Sequence, residues 1–344
     1  MKISKVVVIG SGTMGSGIAA QVANAGLQVH LLDLTIEIAT KACERIKKSR
    51  PPLLMEENNL NHIIPGSIEN DMETLKDADW VVEAVVERID IKKTLYSKID
   101  TLRKPGALVS SNTSSIPLKV LTEDMSKEMK EVFCITHFFN PVRYMRLLEL
   151  VIGPQNDKEK INDLVNFGDK ILGKTVVVCN DSPGFLGNRV GVYAMQVAMT
   201  EAFNFGLTVE EADAVFGRPL GIPKTGIFGL YDLIGIDLMA DVLKSFIKEL
   251  PSDDPFHEVG KEIPVINKLK YNIGSDFFIS YSPERQDPGN KDFDLIKTPK
   301  LVSGATNNCR LIASLVYGKI VKRVVEVKTL EIAELTKLYE NIYQ

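Results

Sequence analysis

An apolar run, Val6-Val7-Val8-Ile9, meets Gly10-Ser11-Gly12-Thr13-Met14-Gly15, and a second run, Val29-His30-Leu31-Leu32, closes on Asp33. This is the pattern of a strand, a tight glycine turn, a helix and a second strand ending in an acid. The glycines allow the turn itself, close approach of backbone to a pyrophosphate, and close packing of helix on strand. The helix N-terminus offers unpaired N–H groups and the positive end of its dipole. Asp33 is placed to accept hydrogen bonds from an adenosine ribose, and its charge repels a 2′-phosphate. Dinucleotide binding through Gly10, Gly12, Thr13, Met14, Gly15 and Asp33 follows, with NAD preferred over NADP.

Composition sets the outer bounds. The 344 residues are 44% hydrophobic and 25% charged, ordinary for a globular chain of two or three domains. No apolar run reaches membrane-spanning length, and no basic-then-apolar leader precedes the first strand, so no membrane partner and a cytoplasmic location are expected. Cys43, Cys134, Cys179 and Cys309 are widely spaced, with no CxxC pair, which favours buried reduced thiols over a metal site. A net charge of −4 with interspersed signs argues against a nucleic-acid partner.

The alternation of apolar runs and helical segments continues to about residue 180. A helix runs to Lys48, followed by Pro51-Pro52 and a polar stretch to Asn70. Strands are expected at 80–85, with Glu87 just beyond, at 107–111 leading into Asn112-Thr113-Ser114-Ser115, at 133–137, at 147–151 and at 175–178. Ligands bind beyond the carboxyl ends of such strands, so polar residues there carry weight. After Ser182 the texture becomes helical, with helices from Val190 to Phe205, from a cap-like Thr208, and from Leu238 to Leu250. Helical additions of this kind close over substrate and supply dimer contacts. A homodimer through them is an expectation, although an apolar face serves packing within the domain equally well.

The chemistry centres on His137 and Glu149. Oxidising an alcohol requires removal of the hydroxyl proton, and neutral imidazole is poised to take it near neutral pH. A carboxylate on the far ring nitrogen fixes the tautomer, and Glu149 lies twelve residues on, in the next strand. Ser114 and Asn188 add a hydroxyl and an amide able to hold a substrate oxygen. His137 alone reads equally as a core histidine; beside the nucleotide motif the catalytic reading prevails.

Ser111-Asn112-Thr113-Ser114-Ser115, His137-Phe138-Phe139-Asn140-Pro141, Leu148-Glu149-Leu150-Val151, and Asp181-Ser182-Pro183-Gly184-Phe185 with Asn188-Arg189 resemble the successive signatures of the 3-hydroxyacyl-CoA dehydrogenase family. The later run from Gly221 to Gly235 is similar to that family's helical-domain motif. The resemblance covers residues 1 to 268. It implies an α/β Rossmann-type NAD-binding domain at 1–183, an all-helical domain at 184–268, and NAD-linked oxidation of a (3S)-3-hydroxyacyl-CoA to the 3-oxoacyl-CoA in fatty-acid β-oxidation. By resemblance His137 is the general base, Glu149 its orienting partner, and Ser114 and Asn188 contact substrate. Glu87, Lys92, Ser114 and Asn140 match positions around the ribose and nicotinamide. Without the resemblance, Lys92 reads as a solvated helix residue. The family's CoA-gripping hairpin falls at about 49–64, where this chain is short, proline-broken and partly acidic.

Past about residue 269 the likeness changes. The stretches 274–285, 287–291, 298–302 and 331–341 resemble the UDP-sugar (nucleotide-sugar) dehydrogenase family, in which Glu284, Lys337 and Asn341 match substrate-pocket positions. That family's thioester-forming cysteine motif is not present, and Cys309 lacks its flanking glycines. Residues 269–344 therefore read as a partial α/β segment, a truncated and inactive graft. The alternatives are a UDP-sugar 6-dehydrogenase-related protein and an inactive NAD-binding fusion product.

Overall fold

The computed structural model describes residues 2–220, 225–259, 278, 280–283, 299–333 and 335–336. The chain divides into two compact units, 1–261 and 262–344.

The first unit is built on eight strands: β1 (Lys5–Ile9), β2 (Gln28–Asp33), β3 (Ile63–Ser67), β4 (Trp80–Glu83), β5 (Leu108–Ser111), β6 (Phe133–Phe138), β7 (Leu147–Val151) and β8 (Thr175–Cys179). They form one sheet in the order β3-β2-β1-β4-β5-β6-β7-β8. Every pairing is parallel except β6 with β7. The β1–β4 pair lies at the point where strand order reverses, the place where an α/β sheet opens a ligand crevice. Helices α1 (Thr13–Asn24), α2 (Ile36–Lys48), α3 (Ile89–Leu102), α4 (Leu118–Leu121), α5 (Lys127–Val132) and α6 (Lys158–Lys170) accompany the strands. Two apolar clusters cover the two faces of the sheet, which is why the central strands are apolar without alternation. Trp80 packs edge-on to Phe167 at 5.7 Å between ring centroids and donates its indole N–H to Ser110 Oγ at 3.0 Å.

The chain 51–70 is not simply a polar interruption. Ile63–Ser67 forms β3, pairing parallel with β2 in the register Leu31 to Pro65 and Leu32 to Gly66. A proline and a glycine hide the strand from a propensity reading, and both are tolerated because this is the sheet's edge.

Beyond β8 come α7 (Gly187–Asn204), α8 (Val209–Val215), α9 (Phe228–Ile234), α10 (Ile236–Glu249) and α11 (Phe256–Val259). Thr208 caps α8 in a reciprocal box with Glu211. Asp213 accepts the N–H groups of Ile227, Phe228 and Gly229 and so fixes the start of α9.

In the second unit, β9 (Ser280–Tyr281), β10 (Lys300–Gly304) and β11 (Val324–Glu326) lie in the order β11-β10-β9. The helix Asn307–Gly318 links the parallel pair β10 and β11. A Cβ on Gly304 would stand 2.2 Å from Arg310 N, so only glycine lets strand and helix approach this closely. Leu311, Leu315 and Val316 on this helix are more than half exposed. Of the four cysteines, Cys134 and Cys309 are buried, whereas Cys43 and Cys179 are half-buried.

Candidate active site

Gly10 follows β1 with a φ of +101°, and a Cβ there would lie 2.5 Å from Ala84 O. A Cβ on Gly15 would fall 1.8 Å from Gly10 O. Both glycines are required sterically. Gly12 has open space where a Cβ would be, and as the N-cap of α1 it supplies no side-chain cap. The first N–H groups of α1 are therefore left without a side-chain cap, as a helix end that receives an anion requires. Asp33 ends β2, and its Oδ2 accepts both the N–H and the hydroxyl of Ser11 at 2.6 Å. Arg45 donates to Ser11 O at 2.9 Å, bracing the same turn. Turn, helix end and acid fit the phosphates and ribose of a dinucleotide.

The histidine sits on β6, with β4 and β5 between it and β1. His137 and Glu149 are direct partners in the β6–β7 register, and Nδ1 lies 2.6 Å from Oε2. Oε1 accepts the N–H groups of Leu186 at 2.8 Å and Gly187 at 2.6 Å. Burial works to raise the Glu149 pKa, but the hydrogen bonds from His137, Gly187 and Leu186 and the nearby histidine outweigh it, leaving the carboxyl below its ordinary value. An ionised carboxylate only accepts, so Nδ1 carries the proton and Nε2 the lone pair. The imidazole is held between Phe139 and Phe185, at 4.5 and 5.7 Å between ring centroids.

A cavity of about 390 Å³ draws these parts together: His137, Ser114, Asn188, Asn140, Glu87 and Lys92 all line it, with Met14 from α1. The side chains of Ser114 and Asn188 have no hydrogen-bond partner among the described residues and line the cavity, which leaves both available to a ligand. Asp33 does not line this cavity.

Lys92 is not solvated. It is 1% exposed, with Nζ 2.7 Å from Glu83 Oε1 and 3.2 Å from Glu87 Oε2. The first turn of α3 aims it inward, and a helix-face reading of a lone lysine has no means of seeing the two acids that receive it. Glu83, absent from the sequence reading, is wholly buried: beyond Lys92 it accepts from Tyr96 Oη at 2.6 Å, Ser111 Oγ at 2.7 Å and Val85 N at 2.8 Å. Its signal was a single acid inside Trp80-Val81-Val82-Glu83-Ala84-Val85. For Glu87, burial works to raise the pKa, yet Thr113, Lys92 and Ser115 together lower it. Glu284, Lys337, Asn341 and the run 221–224 lie outside the described residues. Among the described residues no acid, cysteine and histidine cluster fit for a metal exists, and no helix is long and apolar enough to cross a membrane.

A phosphate-cradling turn with an acid at its far strand, and an acid-backed histidine in the neighbouring crevice, define a dinucleotide-dependent oxidoreductase. Residues 5–182 match the family model described as 3-hydroxyacyl-CoA dehydrogenase, NAD binding domain, and 184–278 match that family's C-terminal domain. The chain is 39% identical to a putative fatty acid oxidation complex trifunctional enzyme of Rickettsia felis, over 99% of this chain and 50% of that protein. It is 38% identical to a probable 3-hydroxyacyl-CoA dehydrogenase of Deinococcus radiodurans, over 84% of this chain and 86% of that one. The crystal structure of FadB2 from M. tuberculosis superposes with a TM-score of 0.65 at 30% identity, covering 75% of this chain and 90% of that one. The chain belongs to the 3-hydroxyacyl-CoA dehydrogenase family. It spans about half the length of the Rickettsia relative.

Proposed function

We propose that the chain oxidises the 3-hydroxyl of a (3S)-3-hydroxyacyl-CoA to the 3-oxo group, with His137 as general base and Glu149 as its orienting partner. The observation that carries this is the Glu149 carboxylate on Nδ1, which leaves Nε2 as the basic nitrogen of a ring lining the cavity. Nε2 takes the hydroxyl proton, and Glu149 stabilises the imidazolium that results. Ser114 and Asn188 hold the substrate oxygen as it becomes a carbonyl. Lys92 and Glu87, locked to each other, fix the polar floor of the cavity. NAD, when bound, supplies the acceptor for the two electrons that leave carbon 3. Mixing the protein with NAD and 3-hydroxybutyryl-CoA should produce NADH absorbance; none with this or a longer-chain substrate refutes the reading.

Residues 1–183, 184–268 and 269–344 are proposed as the NAD-binding domain, the helical domain and a nucleotide-sugar-dehydrogenase-like segment. The parallel β10–helix–β11 unit supports an α/β origin for the last of these. The alignment with the Rickettsia relative runs over 99% of the chain, the tail included.

A further inference from the structure

A second cavity, of about 550 Å³, opens beside the first and shares Ser114 and Asn188 with it. Its walls come from the helical part: Met195, Leu230, Ile234, Leu238, Val242 and Phe246. Gly191 lines it too, three residues beyond Asn188 and on the same side of α7.

A glycine inside a helix weakens it relative to alanine, so its presence wants a reason. Backbone geometry is not the reason, because Gly191 lies in the body of α7 with an ordinary φ. Packing is not either. A Cβ on Gly187 would meet Phe139 at 2.7 Å and one on Gly184 would meet Phe246 at 2.4 Å, whereas one on Gly191 would meet nothing within 4 Å among the described residues. Gly12, in the phosphate turn, shows the same combination of ordinary φ and open space.

We propose that Gly191 keeps this apolar channel open for the alkyl tail of the substrate and thereby sets chain-length preference toward medium-length acyl groups. The inference rests on the dehydrogenase reading and names the substrate class within it. No lysine or arginine lines the channel among the described residues, and Asp241 and Glu249 do, so the phosphates of CoA find no counter-ion there. Met195, Leu230, Ile234, Leu238, Val242 and Phe246 give an alkyl chain its contacts, and the volume far exceeds what a butyryl group fills.

The test compares kcat/KM for 3-hydroxybutyryl-CoA and 3-hydroxydecanoyl-CoA with NAD, in the full chain and in Gly191→Ala and Gly191→Leu. The unsubstituted protein should favour the longer substrate. Gly191→Leu should shift the ratio toward the short one by at least about tenfold, the discrimination a filled apolar pocket gives, with Gly191→Ala between. A ratio that does not move in Gly191→Leu overturns the proposal. If neither substrate yields NADH, the dehydrogenase reading fails separately. Calorimetric titration with decanoyl-CoA and butyryl-CoA then decides the channel, and equal loss of affinity for both in Gly191→Leu overturns it.

Discussion

His137 and Glu149 stand directly opposite each other on antiparallel strands, with Nδ1 2.6 Å from Oε2. The other oxygen of the same carboxylate holds the N–H groups of Leu186 and Gly187, where the helix bearing Asn188 begins. One buried acid therefore sets both the tautomer of the histidine and the origin of the helix that reaches over it. A register slip of one residue would turn Glu149 to the other face of the sheet and undo both.

His137→Gln should lower kcat by roughly 10²–10⁴-fold with NAD affinity nearly unchanged. Glu149→Gln should also lower it, and the double substitution should cost less than the product of the two, because each removes the same unit. Since the Glu149 pKa is lowered on folding, its stabilising contribution is present above the ordinary carboxyl value of 4.5 and fades as pH falls below it. Turnover in His137→Gln within a few-fold of the unsubstituted protein contradicts the mechanism.

Asp33 should make NADH bind at least tenfold more tightly than NADPH, a gap of about 1.4 kcal/mol or more. Asp33→Ala should narrow the gap. Ser11→Ala, which removes one of the two Ser11 donors that orient the carboxylate, should narrow it in part. Fluorescence titration with both nucleotides measures this, and equal affinities in the unsubstituted protein count against the role of Asp33.

The parts of this site that a sequence displays are those whose residue type is tied to local geometry. Gly10 and Gly15 announce a turn that no side chain could enter, while His137 stands near the end of one short apolar run and Glu149 in the middle of another. Glu83 and Lys92 were not legible as a pair, because nine residues and the turn into α3 separate them and only the fold brings Nζ to Oε1. Strand β3 was hidden by Pro65 and Gly66 at a sheet edge. The antiparallel run of β7, on which the His137–Glu149 contact depends, has no local signature, since apolar residues in a doubly covered sheet read the same in either direction.

Glu83 and Lys92, at 0% and 1% exposure, form an ion pair whose members each depend on the other. Lys92→Met should destabilise the protein by about 3–5 kcal/mol, because it leaves Glu83 and Glu87 together without their cation. Adding Glu83→Gln should restore part of that loss rather than deepen it. Urea unfolding of the three proteins checks this. Additive losses would mean that the two side chains contribute independently.

Lys174 offers a prediction at alkaline pH. It is buried and donates through Nζ to the main-chain carbonyls of Val142 and Met145, in the loop that follows Asn140. No carboxylate pairs with it among the described residues, and desolvation lowers its pKa to about 8 from an ordinary 10.5. Between those values the unfolded chain binds the proton that the folded chain has released, so this group makes stability rise with pH across that window. The neutral amine still has donors for both carbonyls. The Tm of the unsubstituted protein relative to Lys174→Met should therefore increase from pH 7 to pH 10, as read by calorimetry at matched ionic strength. A difference in Tm that stays flat or shrinks over that range would show that the ammonium is not desolvated as its surroundings imply.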